Sequence, residues 1–73
     1  SGVAEAGRMA KYEIMRRDPA TGKTSRWTSN DYRRTVIAAR YDHEQRGQHV
    51  TVIRSDSKNV VIWLGANMAA EMT

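Results

Sequence analysis

The segment DPATGKTS, residues 18–25, contains the Gly-Lys-Thr triplet that ends a phosphate-binding P-loop. A P-loop also needs a glycine five residues before its Gly-Lys pair, and it opens a helix whose amide groups bind the phosphate. Arg17 stands where that glycine belongs, Pro19 removes one amide donor, and strand-like residues follow Thr24. The segment is therefore better explained as a turn than as a nucleotide site.

The two histidines, His43 and His49, are the candidates for a catalytic base or a metal pair. Asp42 and Glu44 flank His43, but adjacent positions of a helix point away from one another, and the spacing matches no common metal site. The chain has no Cys, and no Ser lies in a nucleophile elbow. We therefore expect a protein that is not an enzyme and that holds no metal and no cofactor.

Charge indicates a function more strongly than these motifs do. The chain has 12 Lys and Arg residues and 8 Asp and Glu residues, which gives a net charge of +4. Nine of the 12 basic residues are Arg, whose planar donor fork suits phosphate and carboxylate groups. The alternative interpretation is a well-solvated basic surface with no ligand. With 73 residues and no internal repeat, one small domain is expected.

The expected localisation depends on two kinds of apolar segment, a membrane span and a secretory signal. No apolar run approaches the roughly 18 residues that cross a membrane, and the start of the chain has no basic region followed by an apolar block. We expect no membrane partner and a cytoplasmic location. Residues 1–9 are expected to be disordered, and residues 1–8 to be either native or the remnant of a tag before Met9.

Two hairpins and a helix are predicted from the remaining pattern. Residues 11–17 alternate at period two, and Thr and Trp residues favour extended structure over 23–29. A turn at Asp18, Pro19 and Gly22 lies between them, which predicts a first hairpin. Residues 30–47 predict a helix with a cap at Thr28, Ser29 or Asn30 and an end at Gly47. Residues 49–55 and 59–65 predict a second hairpin. The tail 66–73 is expected to form a short helical turn or to fray.

The predicted fold class is α+β, with the order β-β-α-β-β. Residues 10–65 form one domain in which a four-stranded, mainly antiparallel sheet carries one helix on one face. The helix should bury Tyr32, Val36, Ala39 and Ile37. The sheet face against it should contain seven side chains, namely Tyr12, Ile14, Trp27, Val50, Val52, Ile62 and Leu64.

The opposite sheet face suggests a binding surface, because Arg next to an exposed aromatic ring suits nucleic acid. We expect a non-enzymatic module that binds DNA or RNA through this face, which carries Met15, Arg17, Arg26, Ile53, Val61 and Trp63. Arg16 and Lys23, near the first turn, should add phosphate contacts. The alternatives are a protein-binding regulator or inhibitor of a larger enzyme, a partner with an acidic protein surface, and a homodimer through strand 60–64. Small phage-encoded inhibitors of host enzymes are similar in size and sometimes in element order, which is a comparison of architecture alone. A further alternative is that Trp63 completes the core.

Overall fold

The computed structural model describes residues 10–73, so the predicted disordered segment 1–9 lies outside the described residues. The strands are β1 (Tyr12–Arg17), β2 (Thr24–Ser29), β3 (His49–Arg54) and β4 (Val60–Leu64). Helix α1 (Tyr32–Arg46) separates the two hairpins, and a short helix α2 (Ala69–Met72) follows β4. The predicted α+β class and element order are confirmed.

The sheet has the strand order β2-β1-β3-β4, and every neighbouring pair is antiparallel. One row of paired residues crosses the whole sheet, from Trp27 through Ile14 and Val52 to Ile62. Because residues that pair across antiparallel strands share a face, this row forms the floor beneath α1. Strands β2 and β4 are the edges.

The turn between β1 and β2 accounts for the Gly-Lys-Thr triplet. The carbonyl of Asp18 accepts from the amide of Gly22 at 2.8 Å, and the Asp18 amide donates to the Lys23 carbonyl at 2.9 Å. Gly22 has φ 74°, in the left-handed region where a residue without Cβ is favoured. Strand β2 begins at Thr24, so no helix follows the triplet as a P-loop requires.

The N-cap of helix α1 lies one residue after Asn30, the last of the three predicted cap positions. Asp31 is the N-cap, and its side chain accepts a hydrogen bond from the Arg34 amide at 3.1 Å. Gly47 ends the helix as predicted, with φ 68° and its amide donating to the His43 carbonyl at 3.2 Å. These two caps set the length over which the helix covers the sheet.

The core between α1 and the sheet contains the buried residues Ile14, Ala39, Val50 and Val52. Five partly buried side chains pack around them, namely Tyr12, Trp27, Val61, Ile62 and Leu64. All seven sheet residues that the sequence predicts for this face are among these two groups.

The buried side of α1 differs from the prediction. Thr35, Ala39 and Asp42 are the buried helix residues, whereas Tyr32 and Ile37 are 47% and 61% exposed. The prediction that Tyr32 and Ile37 are buried is therefore wrong. For Ile37 the physical reason is lateral placement, because α1 packs against β3 and β4 and leaves its flank on the β2 side uncovered. Tyr32 lies in the first turn of α1, and its ring packs against that of Tyr12 with the centroids 5.5 Å apart.

A second core lies on the opposite face of the sheet. Met68 and Met72, from the segment after β4, pack on Met15 and Ile53, and all four are buried. The hydroxyl of buried Thr51 accepts from the Met68 amide at 3.0 Å. The segment therefore supplies both the apolar cover and a polar partner that this face needs.

Candidate nucleic-acid interface

A groove of about 710 Å³ opens along the uncovered flank of α1, above β1 and β2. We call it the α1–β2 groove. Its apolar part is formed by Trp27, Ile37 and Tyr41, and its cationic part by Arg16, Arg34 and Arg46. Its existence follows from the sheet being wider than one helix, since the edge strand β2 has no helix above it.

Arg16 is held in the groove by contacts on two sides. Its Nη1 lies 3.1 Å from Oδ2 of Asp42, which is almost completely buried on α1. Its Cζ lies 5.9 Å from the centroid of the Trp27 ring, within the range of a cation–π interaction. Because both partners belong to the folded framework, the guanidinium has a defined position above Trp27.

Arg46 and Tyr41 form a second cation–aromatic pair, and both residues lie in the C-terminal part of α1. The Arg46 Cζ lies 5.9 Å from the Tyr41 ring centroid, and the ring is 56% exposed. The Arg46 Nε also lies 4.0 Å from Oδ1 of Asp42. One buried carboxylate thus accepts a hydrogen bond from Arg16 and lies near Arg46, and each of the two guanidinium groups overlies an aromatic ring.

A smaller depression of about 240 Å³ adjoins the groove near the β1–β2 turn. It is lined by Lys23, Thr24, Ser25 and Gln48, and it shares Arg16 and Arg46 with the larger groove. The linings of both cavities contain four cationic side chains (Arg16, Lys23, Arg34, Arg46) against two carboxylates (Asp18, Asp42), which gives a net charge of +2. The combined surface therefore favours an anionic ligand.

Two nitrogen donors on residues that line the groove are buried and unpaired among the described residues. They are Arg16 Nε and Trp27 Nε1. A buried N–H group without an acceptor is costly, typically by about 1–3 kcal/mol. Both atoms have almost no accessible surface, so they lie beneath the wall of the groove and do not face its opening.

The sheet face predicted as the binding surface is largely covered. Met15 is 5% exposed and Ile53 is 0% exposed, because Met68 and Met72 pack over them. The expectation that Met15 and Ile53 lie on a free surface is wrong. The error has a physical origin, since an apolar sheet face of this size needs a cover and the C-terminal segment supplies it.

The two arginines of that face are occupied by the same segment. Arg17 Nη1 donates to Glu71 Oε2 at 3.0 Å, and Arg26 Nη2 donates to the Met72 carbonyl at 3.4 Å. The hydrogen bonds with Glu71 raise the pKa of Arg17 above its ordinary value, and those with Arg17 lower the pKa of Glu71. Both arginines therefore help to hold α2 on the sheet.

Val61 is partly buried in the helix-side core, whereas Trp63 is exposed. A register shift between Val52 and Ile53 displaces β4, and Val61 packs against the core beneath α1 instead of standing on the opposite face. Trp63 is 59% exposed, and its indole Nε1 donates to the Gly65 carbonyl. Trp63 thus belongs to neither core, contrary to the alternative that it completes one.

Of the eight predicted site residues, the structure brings Arg16 and Lys23 together in the smaller depression. Trp27, Arg34, Tyr41 and Arg46 were missed as site residues, although all four line the larger groove. The available signal was the apolar stripe of α1 interrupted by arginines, which indicates a helix flank that carries both kinds of side chain.

Within residues 10–73, no three His, Asp or Glu side chains cluster in a way that would hold a metal ion. Neither of the two helices in that range has the length and apolar character needed to span a membrane.

Comparison with protein-family models, with curated proteins and with solved structures gave no match. No relative therefore assigns a role to the residues of the α1–β2 groove.

Proposed function

We propose that this protein is a non-enzymatic module that binds nucleic acid in the α1–β2 groove. The observation that carries the proposal is the pairing of two aromatic rings with two arginines in one concave, basic surface, as Trp27 with Arg16 and Tyr41 with Arg46. The proposal keeps the predicted ligand class and moves its site from the covered sheet face to the groove. A cytoplasmic location stays a prediction that goes with it.

Single strands suit this surface better than duplexes. Unpaired bases stack on aromatic rings whatever their sequence, while arginines bind the phosphates with charge-assisted hydrogen bonds. Residues 34 and 46 mark the two ends of the helix flank and are 12 residues apart, which corresponds to about 18 Å along α1. A groove of this length suits a segment of only a few nucleotides, so we expect modest affinity and little sequence preference.

The test is fluorescence anisotropy with labelled single-stranded DNA, single-stranded RNA and a duplex across a range of salt concentrations. We expect binding to both single strands that weakens as salt rises, because phosphate contacts release counterions. No binding to any of these ligands at low salt would overturn the proposal, and a clear preference for the duplex would overturn its single-strand part.

Two neighbouring arginines provide a matched comparison for the site. Arg33 and Arg34 both lie in the first turn of α1, and neither forms an ion pair with another described residue. Only Arg34 lines the groove. We expect Arg34→Gln to weaken binding several-fold and to lower the salt slope by about one, and Arg33→Gln to do so much less. Equal effects would count against the groove.

A second candidate function is protein binding or homodimer formation through the edge strand β4. The observation that favours it is an uncharged stretch from Asn59 to Asn67 in which Trp63 is 59% and Val60 is 39% exposed. Natural edge strands usually carry charges or proline that prevent pairing with another strand. Sizing across protein concentration, repeated with Trp63→Ala, tests this function, and a monomer at every concentration would exclude the homodimer.

A further inference from the structure

We infer that the α1–β2 groove and its adjoining depression together accept one nucleotide unit, with the base in the larger cavity and the phosphate in the smaller one. This inference rests on the proposed function and specifies how its ligand is seated. It starts from the fact that the two cavities differ in chemistry and share two arginines.

The larger cavity has the size and walls of a site for a flat heterocycle. Its volume of about 710 Å³ lies within the range of pockets that hold small ligands, roughly 300–1,000 Å³. Trp27, Ile37 and Tyr41 offer apolar surface, and Arg34 lines the same cavity with a guanidinium group that forms no ion pair within residues 10–73. Nucleobases present both the aromatic face and the ring or carbonyl acceptors that such a cavity can use.

The smaller cavity has the donors that a phosphate group needs. Lys23 contributes an ammonium group that forms no ion pair within residues 10–73, and Thr24 and Ser25 at the start of β2 line the same space. The one carboxylate in the lining, Asp18, already accepts from the Ala20 amide at 2.9 Å. The volume of about 240 Å³ is too small for a base and sugar together with their contacts, but it admits an anion.

Arg16 and Arg46 connect the two cavities because each of them lines both. Each guanidinium faces an aromatic ring, and Asp42 hydrogen-bonds Arg16 and lies within 4.0 Å of Arg46. A ligand whose aromatic part and anionic part are covalently joined therefore fits the pair of cavities better than either part alone.

The test compares three probes by titration, namely a nucleoside, its 5′-monophosphate and inorganic phosphate. The protein with Trp63→Phe has Trp27 as its only tryptophan, so its fluorescence reports ligand at the groove. We expect the monophosphate to bind at least tenfold more tightly than either the nucleoside or inorganic phosphate, because the phosphate gains charge-assisted hydrogen bonds while the base is stacked.

Lys23→Gln should remove most of this preference and leave nucleoside binding unchanged, whereas Lys11→Gln, which changes an exposed lysine outside both cavities, should leave the preference intact. Equal affinity for nucleoside and monophosphate, or an unchanged preference in Lys23→Gln, would overturn the inference. If oligonucleotides bind while the preference is absent, only this inference fails. If no oligonucleotide binds at low salt, the proposed function itself fails.

Discussion

An ion pair joins Arg16 of β1 to Asp42 of α1. The atoms Nη1 and Oδ2 lie 3.1 Å apart, and the Arg16 side chain is 27% exposed while that of Asp42 is 7% exposed. Because a buried carboxylate without a partner is strongly unfavourable, this pair couples the position of α1 to the position of the guanidinium above Trp27. The same contact therefore serves both folding and the candidate site.

Replacement of Arg16 by Met should lower the free energy of unfolding by about 1–3 kcal/mol, since it leaves the Asp42 carboxylate with only the longer contact to Arg46. Urea denaturation measures the change. Arg54→Met is the matched control, because its pair with Asp56 has a similar distance, 3.2 Å, but is exposed. We expect the control to lose much less, because an ion pair in water contributes little to stability. Equal losses would show that burial of Asp42 does not matter.

The cover formed by the C-terminal segment should depend on its two methionines. Met68 and Met72 are 2% and 5% exposed, so Met68→Ala or Met72→Ala should cost about 2 kcal/mol each, at the lower end for buried Met because the segment lies at the periphery. The NMR methyl signals of Met15 and Ile53 should shift with the mutation. Ala70→Ser, at an exposed position of α2, should change neither measurement. A stable protein with unshifted methyl signals would contradict the role of the cover.

Acid should loosen α2 from the sheet. The folded state has a lowered pKa at Glu71 because of hydrogen bonds from Arg17, so this pair stabilises the folded state above the ordinary Glu pKa and the contribution is lost as pH falls through the lowered value. The methyl signals of Met72 should therefore shift as the pH is lowered below about 4.

Two variants separate this effect from other acid-sensitive contacts. Glu71→Gln should already show the loosened signals at neutral pH and little further change in acid. Asp56 also has a lowered pKa, through Arg54, but it lies in the β3–β4 turn, so Asp56→Asn should leave the Met72 titration unchanged. A titration of Met72 that is the same in Glu71→Gln and in the unmodified protein would rule out this pair as its cause.

Three glycines with positive φ should respond differently to alanine. Gly22 and Gly47 have open space at the position of an added Cβ, so Gly22→Ala and Gly47→Ala should cost only the backbone strain of about 1 kcal/mol. At Gly65 the added Cβ would overlap Nδ1 of His49, which accepts from the Ala66 amide at 3.1 Å. Gly65→Ala should therefore cost at least about 1 kcal/mol more in thermal or urea unfolding. Similar losses at all three positions would contradict this ranking.

The elements and their order could be predicted because they depend on local signals. The period-two alternation of β1, the turn residues Asp18 and Gly22, and the helix end at Gly47 each act within a few residues of sequence. The assignment of Ile14, Trp27 and Val52 to the helix-facing side also held, because alternation along a strand determines which residues share a face.

The location of the candidate site could not be predicted in this way. Which half of the sheet α1 covers depends on packing between elements that are distant in sequence, and that placement leaves Ile37 and Tyr41 exposed beside Trp27. The register shift at Val52 and Ile53, which moved Val61 to the helix-side core, likewise has no clear signal in the residues of β4.

The sequence by itself determined the α+β class, the two hairpins, the central helix and the basic, Arg-rich character of the chain. Only the tertiary structure decided that Met68 and Met72 close one sheet face and that Arg16 and Arg46 meet aromatic rings on the other. The physical reason is that local pattern specifies what each element can bury, whereas competition among all elements for apolar surface decides which surface remains free.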